Sequence, residues 1–127
     1  SEVNLESVVR LTQYTVISWI SLTPATVSRV NSLAGLMVRN LVVEPHTMPS
    51  FPDDIIIPIL PASLGSLHII NAGNVRARGP LPDSLHDLLI YGVPGHLNIQ
   101  MDYGQRDIKR RKDGDRDVLE WVRGESR

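Results

Sequence analysis

Two stretches of this chain, LPASLGSLHII (Leu60 to Ile70) and LPDSLHDLLIY (Leu81 to Tyr91), share Leu, Pro, Ser, Leu, Leu and Ile at matching positions 21 residues apart. A repeated unit constrains a fold more than any single residue does, because each copy must make the same local structure and bury the same positions. In each copy a proline-containing turn precedes a short β-prone piece, Leu67 to Ile70 and Leu88 to Tyr91. Gly/Asn-rich sequence follows each one (NAGN, then YGVPG). A further 21 residues in either direction brings Asp102-Tyr103 or Arg39-Asn40 where Leu-Pro is required, so no third copy is visible at that period.

The remaining chain reads as one domain, since 127 residues supply one ordinary core and are too few for two. Asn4 caps a short helix over 4–12, and YTVISWISL (Tyr14 to Leu22) has the β-branched and aromatic content of a strand buried on both faces, with Trp19 in the core. Thr23-Pro24 marks a helix start, because the hydroxyl accepts from a free backbone N–H and proline at the first position loses no needed donor. Val27, Val30, Ala34 and Met37 then share a stripe, which predicts the one main helix over 24–37. Arg39 to Glu44 returns as a strand. Three prolines between Pro45 and Asp54 enforce a long loop. Ile55 to Leu60 is a strand whose Pro58 suits an edge. In His96 to Asp102, Leu97, Ile99 and Met101 alternate with Asn98, Gln100 and Asp102, the pattern of a half-buried strand.

The expected architecture is therefore a single small α/β or α+β domain over 1–104 with five or six short strands. A charged tail over 105–127 follows, in which Asp117 caps a short C-terminal helix carrying Val118, Trp121 and Val122. The plainest account of the doubled unit within such a domain is two helical turns begun by Pro61 and Pro82, each leading into a strand.

The doubled Leu-Pro-x-Ser-Leu-x-x-Leu-x-Ile unit also resembles the leucine-rich repeats of bacterial effector proteins and the related Phe-Asn-Ile-Pro repeats, over residues 60–100. The resemblance implies that Leu64, Leu67, Ile69, Leu85, Leu88 and Ile90 point into a solenoid core. It further implies a strand face that binds another protein, with His68, Ile70, Leu89 and Tyr91 as its contacts. Trp121 is a further anchor for a partner, and Trp121 or the edge strand at Ile55 gives a second copy a place to pair.

Charge suggests an alternative. The net charge of -1 is uneven, about +2 from Arg106 onward and about -3 before it, with both lysines in IKRRK (Ile108 to Lys112). Arg106, Lys109, Arg110, Arg111 and Lys112 are the residues that would follow a nucleic-acid backbone. Interleaved Asp107, Asp113, Asp115 and Asp117 blunt that field.

Other chemistries find little support. DGDRD (Asp113 to Asp117) begins like a calcium loop but has Val118 and Gly124 where glycine and glutamate are required. The four histidines have no metal spacing and cysteine is absent. The best catalytic group is His46 with Asp53 and Asp54 on the proline-rich loop, without a nucleophile beside it, so a small hydrolase or metal-dependent enzyme centred on His46 ranks third. No cofactor motif is present. Without a membrane-length apolar run or a basic-then-apolar leader, the expectation is a soluble, intracellular protein.

Overall fold

The computed structural model describes residues 16–45 and 54–124. Among them are nine strands and a single five-residue helix. The strands are β1 (Ile17–Leu22), β2 (Val38–Val43), β3 (Asp54–Ile57), β4 (Ser66–Ala72), β5 (Asn74–Ala77), β6 (Asp87–Gly92), β7 (Asn98–Gln100), β8 (Lys109–Asp113) and β9 (Arg116–Val122), and the helix is α1 (Pro24–Ser28). Six strands form one sheet in the order β1-β2-β4-β6-β9-β8, and three form another in the order β3-β5-β7. The pairs β1-β2, β2-β4, β4-β6, β3-β5 and β5-β7 are parallel. The chain thus winds between two sheets in a stack of coils, a β-solenoid-like arrangement. This overturns the expected α/β or α+β domain. Parallel neighbours β4 and β6 are only 21 residues apart, and a strand-helix-strand unit needs roughly 30. The return path between them is a strand and a turn.

The coils extend beyond the two copies although Leu-Pro-x-Ser does not: at the observed register Ala34, Gly35 and Met37 stand where Leu60, Pro61 and Ser63 do. Ile17 pairs with Val38, 21 residues on; Asn40 pairs with Ser66, 26 on; Ser66 pairs with Asp87, 21 on. Extra residues between β2 and β3 lengthen one coil, while the inward columns stay aligned. Ile20, Leu41, Leu67 and Leu88 form one such column, and Leu22, Val43, Ile69 and Ile90 the next. All eight are buried. The second sheet faces them with Ile55, Val75 and the half-buried Ile99.

The consensus serine and proline have structural tasks. Pro61 and Pro82 carbonyls accept from Leu64 and Leu85 N–H at 3.1 Å, making a tight turn in each copy. Ser63 Oγ donates to Val38 O at 3.0 Å and Ser84 Oγ to Leu64 O at 2.7 Å, so each hydroxyl ties its coil to the one before.

The helix begins as expected: Thr23 Oγ1 accepts from Thr26 N–H at 3.2 Å, with proline in the first turn. It stops at Ser28 instead of running to 37, because the chain beyond it is drawn into the coil corner. Ile59 N–H donates to Asn31 O at 3.0 Å and Leu33 N–H to Ile59 O at 2.7 Å. Leu33, Leu60 and Leu81 are buried at this corner. The short helix takes the place of a strand against β3, where Ser28 Oγ accepts from Ile56 N–H at 3.1 Å. As expected of a strand running into Pro58, β3 is an edge strand of its sheet.

The charged segment is also folded. β8 and β9 make an antiparallel hairpin that pairs with β6, Trp121 opposite Leu88 and Leu119 opposite Ile90. No C-terminal helix forms at 117–122, because alternation puts Leu119 and Trp121 into the core while half-buried Glu120 lies between them. Gly114 opens the two-residue turn at a φ of 64°, a conformation that favours glycine. The helix expected over 4–12 lies outside the described residues. No helix among the described residues is long and apolar enough to cross a membrane.

Candidate functional site

Because side chains alternate along a strand, the residues between the buried leucines and isoleucines face outward from the six-stranded sheet. On β4 and β6 these are Ser66, His68 and Ile70, then Asp87, Leu89 and Tyr91. Register sets His68 beside Leu89 and Ile70 beside Tyr91. All four are half-buried. The four residues assigned to a strand face thus form one block, to which Val42 is added by its pairing with His68.

Polar contacts hold this face in place. His68 Nε2–H donates to Asp87 Oδ2 at 2.8 Å, and Ser66 Oγ donates to Asn40 Oδ1 at 2.8 Å. The Tyr91 hydroxyl donates to the Asp113 carboxylate, and that hydrogen bond holds the phenol above its usual pKa. Arg116 lies over the Tyr91 ring, 5.4 Å from its centre, while its Nη1 donates to Asn71 Oδ1 at 2.8 Å. Asn71 is the one non-glycine described residue at positive φ (57°), at the irregularity where β4 turns toward β5.

Trp19 extends the same face. It pairs with Asn40 in register and is 58% exposed. This corrects its expected place in the core: Ile20 and Leu22 are the inward residues of β1, so Trp19 and Ser21 point away. Trp121 shows the reverse. It is 8% exposed and part of the core. Arg106 and Arg123 stand 4.9 and 5.6 Å from its ring centre. Arg106 donates to Tyr103 O and Pro82 O, and Arg123 to Leu85 O and Asp83 O. Burial, with the neighbouring Arg123 charge, lowers the Arg106 pKa. Trp121 is thus packed in the last coil with half-buried Arg106 over its ring.

The other basic candidates line up along β8. Arg110 Nη2 donates to Asp117 Oδ2 at 2.9 Å, Arg111 Nε to Glu120 Oε1 at 2.9 Å, and Lys112 Nζ lies 2.8 Å from Asp117 Oδ1. Lys112 and Arg110 hold the Asp117 carboxyl below its usual pKa. Lys109 is exposed beside Glu120 in register. Three cations of the cluster thus end on carboxylates of the adjacent strand.

His46 and Asp53 lie outside the described residues. The third member of that group, Asp54, accepts from Asn74 Nδ2 at 2.9 Å on the three-stranded sheet. No group of three or more potential metal ligands occurs among the described residues. Ile55 is buried in β3, and α1 packs against that strand.

No protein-family model, curated protein or solved structure matches the chain.

Proposed function

We propose that this protein is an interaction module that binds another protein through the outer face of its six-stranded sheet, at Trp19, His68, Ile70, Leu89 and Tyr91. The observation that carries this is the register of β4 and β6, which brings four side chains from two copies of the repeat into one block, with exposed Trp19 on the same face. A rigid sheet presenting two aromatics and apolar side chains loses little conformational entropy on binding, and aromatics commonly dominate interface energies. The resemblance to leucine-rich repeats supports the same choice of face. Against a nucleic-acid role for Lys109 to Lys112, the carboxylates of Asp117 and Glu120 already occupy Arg110, Arg111 and Lys112.

The test is site-specific photo-crosslinking in cells, with the reactive residue at position 89 on the outer face or at position 100 on the other sheet. A discrete protein adduct is expected at 89 and none at 100, and Trp19→Ala should remove it without lowering the melting temperature. Adducts of equal yield at both positions would refute the assignment. So would nucleic-acid binding that falls steeply between about 50 and 200 mM salt and is lost when Arg110 and Arg111 are neutralised.

A further inference from the structure

We propose that the outer face of the three-stranded sheet is a second binding site, a shallow hollow that holds a neutral polyhydroxyl ligand, a saccharide unit, by hydrogen bonds. It is independent of the protein-binding face.

Parallel register places Asp54, Asn74 and Asn98 in one outward row and Arg76 and Gln100 in the next. All five are exposed. Strand geometry spaces them about 4.8 Å apart across the sheet and about 6.6 Å along it. Between the rows lies an open hollow of about 150 Å³, lined by these five residues and Val75.

The mixture of groups selects the ligand. Asn74 Nδ2 donates to Asp54 Oδ1 at 2.9 Å, which leaves the Asn74 carbonyl oxygen free to accept. The Arg76 side chain has no hydrogen-bond or ion-pair partner among the described residues. The hollow therefore offers acceptors from Asp54 and Asn74, donors from Arg76, and both from the Asn98 and Gln100 amides. An anion meets the Asp54 carboxylate, and a cation meets the Arg76 guanidinium. An apolar ligand would strip water from five polar side chains and return no hydrogen bond. A hydroxyl donates and accepts at once, so adjacent hydroxyls on a ring can give to the acceptors and take from the donors. At a water's share of about 30 Å³ the hollow displaces about five waters. That suits one sugar ring bound at millimolar affinity, as expected of an open site below the usual range for enclosed pockets of roughly 300 Å³ upward.

Saturation-transfer NMR on the full chain tests this with maltotriose, cellotriose and mannotriose at millimolar concentration, and with triglycine as a peptide probe. Transfer to at least one trisaccharide is expected. Arg76→Ala and Asn98→Ala, checked as folded by thermal melting, should each lower affinity about tenfold through lost hydrogen bonds, while Lys112→Ala leaves it unchanged. Absence of transfer to all three sugars would overturn the proposal. Transfer to triglycine alone would make this a peptide site. Loss of transfer in Trp19→Ala but not in Arg76→Ala would put the sugar on the other sheet, and would overturn the proposal equally.

Discussion

Leu88 and Leu89 are neighbours in sequence with the same side chain, yet the coil stack gives them opposite environments. Leu88 is fully buried in the column formed with Leu67 and faces Trp121 across the sheet. Leu89 is half-buried on the outer face beside His68 and Glu120. Truncating a buried leucine removes its transfer free energy and leaves a cavity, about 3 to 5 kcal/mol where the surroundings cannot collapse. Collapse is resisted at Leu88, because β-strands on both sides fix its backbone. Leu88→Ala should therefore cost about 3 to 5 kcal/mol, a large part of a total stability of about 5 to 15 kcal/mol. Leu89→Ala should cost about 1 kcal/mol or less, since it loses partial contacts and leaves no enclosed void. Urea unfolding followed by far-ultraviolet circular dichroism would measure both, with an unchanged slope showing that the two-state comparison holds. Equal losses, or a larger loss for Leu89→Ala, would refute the inward and outward assignment along β6. The proposed protein-binding face would fall with it.

Two further perturbations address what ties the coils and the hairpin together. Ser84→Ala removes the hydroxyl that bridges to Leu64 O at 2.7 Å and should lower stability by about 1 kcal/mol in the same urea experiment; an unchanged midpoint would show that this bond contributes nothing. Asp117 has a folded pKa depressed by Lys112 and Arg110, so its contribution is fully present above the usual carboxyl pKa and is lost as the pH falls through the lower folded value. The melting temperature of Asp117→Asn should therefore lie below that of the wild-type protein at neutral pH and converge on it toward pH 2. A constant difference across that range would contradict the sign.

Several features were legible in the sequence. The shared leucines and isoleucines of the doubled unit identified core positions, and alternation over 96–102 identified β7. Other parts were hidden for physical reasons. Val27, Val30, Ala34 and Met37 fit a helical stripe, but periodicity cannot show that Asn31 and Leu33 will find backbone partners on Ile59 in the next coil. Val118, Trp121 and Val122 likewise lie at helical spacing, whereas the Gly-first turn Gly114-Asp115 is flanked by charges that conceal it. Trp19 was missed as a surface residue because Ile17, Ile20 and Leu22 do not alternate cleanly, and only the last two fix which side is inward. For the proposed face, the resemblance to leucine-rich repeats named His68, Ile70, Leu89 and Tyr91, and pairing alone could add Trp19. The charge of IKRRK was plain in the sequence, but its neutralisation by Asp117 and Glu120 required the hairpin.

The reversal of chain direction at β9 closes one end of the stack. Along β1, β2, β4 and β6 each strand runs parallel to the next and continues the same inward columns, so each coil can serve as a template for another. β9 runs the other way, and beyond it β8 offers only Lys109 to Asp113, five consecutive charged residues. A duplicated coil added after the hairpin has nothing to stack on, whereas one inserted between β4 and β6 meets the same columns above and below. Such a chain can lengthen from within, coil by coil, and keep the terminus that closes it.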